Sequence, residues 1–561
     1  MQIFSKKLFS LILLFSISNL FSQLPSPYKN GEVVSANMLA SQVGVEVLKK
    51  GGNAVDAAVA VGFALAVTYP SAGNLGGGGF MVIHLADGKE TTIDYREKAP
   101  MNSNRNMYLD GEGNYIPELS NSGVTSVGVP GSVAGLLYAL EKYGTLSLAE
   151  ILEPAIKLAE EGFILDYHTA RSFSYNLQDF SMYKSSMNVF SKGGRPYEEG
   201  DRFFQPNLAW TLKQLKEKGR DGFYKGKTAE LFVDQIQKNG GYITFNDLEV
   251  YKPIEREPIK GSYRGYKIIS MGPPSSGGVC LIQLLNILEN YSFAKEEWGS
   301  SSYIHKLVEA MKYVYADRSK HLGDPDFYKV PVNSLLSKEY AKEIFKKIKN
   351  TATPSSEISP SDKISFLESN ETTHYSVYDS YGNAVSTTTT INSSYGNKIV
   401  VDGAGFLMNN EMDDFSSKPG EPNIYGLIGG EANAIEPGKR MLSSMAPTII
   451  LKEGKPYLIL GSPGGSTIIT VVLQVVLNCL DFGMNIKKAI DMPRIHHQWL
   501  PDSIDYEPFA LTQDVKDNLI KLGHKLGRET DLGRVEGIMI DDKNLIWGET
   551  DPRGYGGVSG Y

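Results

Sequence analysis

The chain has 561 residues, 41% of them apolar and 21% charged, which suits a globular protein with several domains or one large layered domain. Its net charge is −8 and its basic residues form no run longer than a short lysine pair, which argues against nucleic acid as a partner. Only two cysteines are present, Cys280 and Cys479, and both lie in apolar runs. We interpret them as buried thiols, since two cysteines cannot build a zinc-finger framework and nothing in the sequence supports a disulfide between them.

The N-terminus has the pattern of a secretory signal peptide. Lys6 and Lys7 precede a mostly apolar run from Leu8 to Phe21. This run is short for a membrane span and is interrupted by Asn19 and serines, although an uncleaved anchor is the alternative. We therefore predict a signal peptide over residues 1–22 and an exported protein, periplasmic or secreted. No later segment reaches about 18 apolar residues, so we expect no membrane span in the mature protein.

The first half of the chain reads as helices with one early hairpin. Residues 36–68 predict two helices broken at Gly51-Gly52-Asn53, and a glycine cluster follows at 73–79. Two strand patterns joined by Ala86-Asp-Gly-Lys-Glu then predict a hairpin. Beyond residue 130 the apolar spacing predicts helices at 132–142, 147–162, 207–218, 280–290 and 302–319. A polar stretch at 351–370 reads as a linker without core positions.

The second half contains strand pairs. Thr372–Ser380 and Ala384–Ile391 flank a turn, and further hairpins are predicted around 452–455 and 541–544. Gly464-Gly465-Ser466 opens an apolar helix that runs to about Leu480. Strands in hairpins with separate helices indicate an α+β fold rather than βαβ winding.

Common cofactor and catalytic motifs are absent. The sequence has no GxGxxG fingerprint, no P-loop, no GxSxG elbow and no HExxH. His496 and His497 are adjacent, so they cannot share one helical face as metal ligands do. We predict no metal site.

The threonine-rich hairpin at 372–391 is the first candidate for chemistry. If its turn centres on Tyr381-Gly382, Thr372 faces Thr390 or Ile391 and Asn392 lies at the same end. On pattern alone, threonine-rich segments usually occur because threonine favours β-strands, and they do not by themselves indicate a functional site.

A resemblance adds to this pattern. Several segments are similar to the signatures of the gamma-glutamyltransferase family and occur in that family's order: 51–58, 73–79, 94–100, 371–376, 382–385, 409–416, 442–447, 461–466 and 551–553. Together they span about residues 30–561.

The resemblance implies a precursor that cuts itself between Glu371 and Thr372. The products would be a large subunit, 23–371, and a small subunit, 372–561, which form a heterodimer. The implied fold is the four-layer αββα sandwich of N-terminal-nucleophile hydrolases. The polar stretch at 351–370 agrees with this implied cleavage, because a cleavage site needs an accessible chain.

Thr372 would then be the nucleophile, with its own new α-amino group as the base. An α-amino group has a pKa of about 7.7–8.0 in model peptides, so it accepts a proton near neutral pH. The resemblance assigns the oxyanion hole to the N–H groups of Gly464 and Gly465, and it nominates Thr390 to orient Thr372.

The implied substrates are glutathione and other γ-glutamyl compounds, with water, amino acids or dipeptides as acceptors. The resemblance nominates Arg96, Ser443 and Ser444 for the α-carboxylate of the substrate. For its α-ammonium group it nominates Asn392, Glu411 and Asp414. The segment 418–426 resembles a lid loop in which Tyr425 closes over the glutamyl group, and no metal or organic cofactor is implied.

Three alternatives remain open. A glutaryl or cephalosporin acylase would use the same scaffold and nucleophile but a substrate without the α-amino group. A relative that acts on poly-γ-glutamate is another, although a lid would hinder a long polymer. An inactive exported binding protein is the third, and it would be expected to have lost Thr372, the glycine pair or Arg96.

Overall fold

The computed structural model describes residues 27–358, 372–420 and 429–561. The predicted signal peptide, Glu371 and Tyr425 lie outside these ranges, so those predictions are not tested by the structure. In the described ranges, no helix combines the length and the apolar character needed to cross a bilayer.

Two antiparallel sheets form the centre of the fold. In spatial order, the strands of the first sheet are Gly557–Gly560, Glu32–Ser35, Thr373–Tyr378, Ala384–Thr390, Gly78–His84, Glu90–Asp94 and Ile254–Arg256. Those of the second sheet are Ile546–Thr550, Glu536–Ile540, Lys455–Leu460, Thr448–Lys452, Tyr266–Ser270 and Ile259–Tyr263. Two smaller sheets comprise Ile495–His496, Ile504–Tyr506 and Leu526–Glu529, and Phe163–Ile164 with Arg202–Phe203.

Side-chain alternation along the strands of the first sheet divides the core into two. Val33 and Met81 pack into one cluster with outer helices, whereas their neighbours Val34 and Phe80 pack into a second cluster with the other sheet. The two sheets also touch through polar contacts, because Ser376 Oγ donates to the backbone oxygens of Ile459 at 3.2 Å and Glu536 at 2.9 Å.

Helices cover both outer faces. The helices in the cluster with the first sheet include Met38–Lys49, Ala54–Thr68, Ser132–Tyr143, Leu148–Glu161 and Pro206–Lys218. Those in the cluster with the second sheet include Gly277–Leu288, Ser301–His321, Thr467–Leu480 and Ile486–Asp491. The order helix–sheet–sheet–helix confirms the predicted α+β, αββα sandwich.

The other helices of four or more residues complete the surface of the fold. The α-helices among them are Pro117–Asn121, Tyr167–Tyr175, Leu177–Phe180, Lys184–Phe190, Asp221–Tyr224, Gly226–Lys238, Phe245–Val250, Val332–Leu335, Lys338–Lys347, Ser355–Ile358 and Gln513–Lys521, and Glu411–Asp414 is a 3-10 helix.

The helix break at residues 51–53 has a clear physical cause. Asn53 accepts from the N–H groups of Val55 and Asp56, while the Asp56 carboxylate accepts from the Asn53 N–H at 2.8 Å. This reciprocal capping box satisfies donors that a helix start leaves open. The predicted helix pair is therefore confirmed.

The linker prediction for 351–370 is wrong where the structure tests it. Thr353 and Ser355 are buried. Lys312 Nζ donates to Thr353 O at 2.9 Å, and Ser355 Oγ donates to Trp499 O at 2.6 Å. The polar composition predicted an exposed segment, but serine and threonine can be buried when they are hydrogen-bonded. The two cysteines are buried free thiols, as predicted.

The turn between the strands Thr373–Tyr378 and Ala384–Thr390 is held by one carboxylate. Asp379 accepts from the backbone N–H groups of Tyr381 and Asn383, from the Asn383 side chain, and from Ala54 N at 2.8 Å. The last contact ties the hairpin to the start of the helix Ala54–Thr68, where a negative charge is favourable.

We expect Asp379→Ala to lower the free energy of unfolding by about 3 kcal/mol, because four donors, three of them buried, lose a charged acceptor. Thermal and urea denaturation measure this loss. Asp87→Ala is the matched control, since Asp87 is an exposed turn aspartate that accepts from Lys89 N in the neighbouring hairpin. Equal losses in the two variants would contradict the prediction.

Candidate active site

The hairpin places Thr372 beside Thr390. Thr373 pairs with Thr389, so Thr372 lies level with Thr390, which confirms the predicted register. Thr390 Oγ1 accepts from the backbone N–H of Asn392 at 2.8 Å. Asn392 itself has a φ of +72°, and its side chain donates to Asn410 O at 2.8 Å. A hydroxyl and an amide are thus fixed at the end of the strand where Thr372 begins.

The early glycine cluster lets another strand approach this hairpin closely. A Cβ at Gly77 would lie 2.1 Å from Thr390 O, and one at Gly76 would lie 2.1 Å from Leu407 O. A side chain at Gly77 would push the backbone of Thr390 away, and one at Gly76 would push that of Leu407. The glycines therefore allow the close packing beside Thr390.

The second glycine pair forms a turn before a helix. Gly464 has a φ of +134° and Gly465 one of +53°, both in regions that favour glycine. The helix Thr467–Leu480 follows directly. Successive backbone N–H groups in such a turn, at a helix start, suit a developing negative charge.

One pocket collects the predicted residues. Its wall includes Thr372, Thr390, Asn392, Gly465, Arg96, Glu411, Asp414, Ser443 and Ser444. Gly464 is the residue before Gly465 in the same turn. The pocket brings together all the nominated residues of the described ranges except Gly464, and Tyr425 lies outside those ranges.

Arg96 lies at the centre of a buried charge cluster. Its Nη1 donates to Glu411 and its Nη2 donates to Asp414, and its guanidinium also reaches the backbone oxygens of Met441 and Leu442 at 3.3 Å. Only 1% of Arg96 is exposed. These ion pairs fix the guanidinium and both carboxylates at one side of the pocket.

Glu97 adds a third carboxyl group to the cluster. It is fully buried, 3.6 Å from Arg96 Nη1, and neither of its oxygens accepts a hydrogen bond from another described residue. Burial raises the pKa of Glu97 to about 7 and the pKa values of Glu411 and Asp414 above their ordinary range, although Arg96 opposes each shift. Carboxyls of this kind favour a bound cation or retain a proton.

We expect the stability of the protein to fall as pH rises from about 4.5 to about 7, because the native state retains the Glu97 proton in that window and the unfolded state has lost it. Glu97→Gln should remove up to about 3 kcal/mol of this pH dependence. Denaturation at pH 5 and pH 8 measures the difference. Glu118→Gln, at an exposed position, is the control, and unchanged pH dependence in Glu97→Gln would contradict the prediction.

Arg318 is a pocket residue that the sequence analysis did not nominate. It lies near the end of the helix Ser301–His321 and is buried. Its Nη2 donates to Ser444 Oγ at 2.9 Å and its Nε donates to Ser276 Oγ at 2.9 Å. The pocket therefore holds two guanidinium groups. An arginine in the last turn of a long helix gives no sequence signal of such a role.

His374 lies on the strand Thr373–Tyr378 next to Thr372, but both of its ring nitrogens are in hydrogen bonds within the core. Its Nδ1 contacts Thr388 Oγ1 at 2.9 Å and its Nε2 contacts Ser376 Oγ at 3.1 Å. Burial lowers the pKa of His374 to about 3, so the ring is neutral at physiological pH. These contacts favour a structural role.

One group of side chains has the composition of a metal site. His305, Glu309 and His524 bring ligand atoms within 4.8 Å of one another. However, the Lys312 ammonium lies 3.1 Å from Glu309, which also accepts from Thr353 N. Glu309 is the only carboxylate of these three residues, and a buried ammonium beside it disfavours the binding of a divalent cation. We therefore interpret the group as a buried hydrogen-bond network.

The αββα sandwich, with a threonine at the start of a central strand and a glycine turn in the same pocket, defines the class of N-terminal-nucleophile hydrolases.

The comparisons with known proteins narrow this class. The gamma-glutamyltranspeptidase family profile matches residues 40–561. A glutathione hydrolase proenzyme from Escherichia coli K12 is 50% identical over 531 residues, covering 94% of this chain and 91% of that protein. Among solved structures, a cephalosporin acylase from Bacillus halodurans superposes with a TM-score of 0.85 at 30% identity, covering 96% of this chain and 97% of that one. A Helicobacter pylori gamma-glutamyltranspeptidase chain is 52% identical with a TM-score of 0.56, covering 57% of this chain and 93% of that one.

This chain belongs to the gamma-glutamyltranspeptidase family.

Proposed function

We propose that the protein is a gamma-glutamyltransferase and glutathione hydrolase. It cleaves the γ-glutamyl amide bond of glutathione and related compounds, and it passes the acyl group to water, amino acids or dipeptides. The observation that carries this proposal is the single pocket in which Thr372 and Gly465 face a carboxylate-rich cluster around Arg96. The high identity to a glutathione hydrolase proenzyme supports it.

The chain is made as a precursor and cuts itself between Glu371 and Thr372. The large subunit is 23–371 and the small subunit is 372–561, and the two remain together as a heterodimer. The large interface supports this, because the central strand Thr373–Tyr378 pairs with Glu32–Ser35 from the large subunit. Residues 1–22 are a signal peptide, and the enzyme acts in the periplasm or outside the cell.

The new α-amino group of Thr372 takes the proton from its own hydroxyl. The oxygen then attacks the γ-glutamyl carbonyl, and the N–H groups of Gly464 and Gly465 stabilise the oxyanion. The amine leaves with that proton, and a γ-glutamyl ester on Thr372 remains. Water or an acceptor amine resolves the ester and returns a proton to Thr372.

Two charged ends of the substrate identify the glutamyl group. Its α-carboxylate binds Arg96, Ser443 and Ser444, and its α-ammonium binds Asn392, Glu411 and Asp414. Within the protein Arg96 is paired with Glu411 and Asp414. An incoming zwitterion exchanges these pairs, so that carboxylate meets guanidinium and ammonium meets carboxylates. Tyr425 closes the lid over the bound group.

The acylase alternative receives structural support from the Bacillus halodurans similarity. The charge cluster argues against it here, because a glutaryl group has no ammonium to face Asn392, Glu411 and Asp414. Glutaryl-4-nitroanilide should therefore be a poor substrate beside γ-glutamyl-4-nitroanilide.

The test is an assay of the purified protein with both anilides and with glutathione. The proposal requires release of glutamate from glutathione and a strong preference for the γ-glutamyl anilide. Equal or better turnover of the glutaryl anilide would favour the acylase. No turnover of any of the three by folded, processed protein would contradict both.

A further inference from the structure

Arg318 belongs to the proposed large subunit and contacts a serine of the proposed small subunit. It lies in the last turn of the helix Ser301–His321, is only 4% exposed, and lines the same pocket as Thr372. Its Nη2 donates to Ser444 Oγ at 2.9 Å, and its Nε donates to Ser276 Oγ at 2.9 Å. One edge of the guanidinium group therefore bridges two serines.

The guanidinium fixes the direction of both hydrogen bonds, because arginine has donors and no acceptor. Ser276 Oγ and Ser444 Oγ both accept from Arg318, so their own hydroxyl hydrogens point elsewhere. The Ser276 hydroxyl donates onward to Ser443 O at 2.7 Å. The Ser444 hydroxyl donates to no residue of the ranges 27–358, 372–420 and 429–561, and Ser444 lines the pocket. Its hydrogen is therefore available to a ligand there.

The same bridge holds the backbone beside Ser444. The backbone N–H of Ser276 donates to Ser443 O at 2.8 Å, and the backbone N–H of Ser443 donates to Pro274 O at 2.9 Å. The segment 274–276 thus lies along the serine pair, and Arg318 joins this segment to Ser444. Both the place and the direction of the Ser444 hydroxyl depend on one arginine of a helix that is distant in sequence.

The chemistry of the substrate makes this direction important. Under the proposed function, on which this inference depends, Ser444 meets the α-carboxylate of the γ-glutamyl group. An ionised carboxylate only accepts hydrogen bonds, so it needs a hydroxyl whose hydrogen points toward it. A hydroxyl that rotates freely also presents its lone pairs, which repel an anion. A donor fixed on the Ser444 oxygen disfavours that orientation.

We propose that Arg318 is a positioning residue that makes Ser444 a hydrogen-bond donor toward the α-carboxylate. It thereby favours glutamyl groups over analogues that lack this carboxylate. The donor comes from the small subunit and its orientation from the large subunit, so recognition of the carboxylate requires both. The positive charge of Arg318 also attracts anions in general, and the test must separate that attraction from the effect through Ser444.

The test is a double-mutant cycle on the binding of L-glutamate and 4-aminobutanoate, used as competitive inhibitors of γ-glutamyl-4-nitroanilide turnover. The two molecules differ only in the α-carboxylate, so the ratio of their inhibition constants measures its contribution to binding. Ser444→Ala should reduce the preference for glutamate about 10-fold in the otherwise wild-type enzyme, but less than about 3-fold in the Arg318→Met background. The general attraction by the Arg318 charge cancels, because the cost of Ser444→Ala is measured within each background.

Arg264→Met is the matched control. Arg264 is a partly buried arginine that pairs with Asp481 at 2.9 Å, in the turn of the hairpin at the edge of the second sheet. In that background Ser444→Ala should still cost about 10-fold. Should the Arg318→Met chain fail to fold or to be processed, Arg318→Lys takes its place in the cycle. Lysine retains a buried cation but lacks the fork that spans both serines, and an intermediate cost is expected.

An equal cost of Ser444→Ala with and without Arg318 would overturn the positioning role, because the two residues would then act independently. A wild-type protein that is folded and processed but releases no nitroaniline from γ-glutamyl-4-nitroanilide would instead contradict the proposed function.

Discussion

Thr372→Ala is expected to yield one uncut chain without activity. In the proposed mechanism the hydroxyl of Thr372 serves twice, first as the nucleophile on its own preceding peptide bond and then as the acyl carrier. Without cleavage the α-amino base does not form either. Both the processing and the turnover of γ-glutamyl-4-nitroanilide should fall by at least about 10⁴-fold. Intact mass and N-terminal sequencing of the purified protein measure the first effect.

Two control variants separate this role from damage to the strand. Thr373→Ala removes the next hydroxyl along, which is also buried and accepts or donates no hydrogen bond among the described residues. That variant should still produce a fragment that begins at Thr372. Thr372→Ser retains a hydroxyl and should still be cut, more slowly. A cut and active Thr372→Ala protein would remove Thr372 as the nucleophile.

The sequence predicted the parts of the site that depend on local geometry. The turn at 379–383 sets the register of the hairpin at 373–390, because a turn of known length determines which residues face each other. The glycine turn at 464–465 precedes an apolar helix, and that order is visible in the printed sequence. The break predicted at Gly51-Gly52-Asn53 likewise matches the boundary between the first two helices, where Asn53 is the N-cap.

The parts that depend on distant contacts were not predictable. Ile259–Tyr263 and Tyr266–Ser270 form a hairpin at the edge of the second sheet, but lysines and glycine interrupt their apolar alternation. Glu97 lies inside a motif that carries the family resemblance, yet its burial without a hydrogen-bond partner depends on how the Arg96 cluster closes around it. Arg318 reaches Ser444 from a helix 126 residues away in sequence. No local sequence pattern predicts such a contact.

Gly464→Ala should reduce kcat by about 10²–10³-fold while it changes KM little. An alanine at a φ of +134° is strained, and its Cβ would lie 2.5 Å from Thr467 Oγ1. The turn must therefore shift, and its N–H groups move away from the oxyanion. The ground-state substrate does not use these donors, so the loss should fall on the transition state. The same oxyanion forms during cleavage before Thr372, and processing should slow in parallel.

Gly454→Ala tests whether strain alone explains the loss. Gly454 has a φ of +81° in the turn of the hairpin at 452–455, and a Cβ there meets nothing within 4 Å. It therefore imposes strain of the same kind at a position outside the active site, and its kcat should stay near the wild-type value. Steady-state kinetics on both processed variants measure kcat and KM, and thermal denaturation measures the loss of stability in each. Equal kcat values for the two variants would mean that the glycine turn serves only the fold, and the oxyanion would need other donors in the pocket.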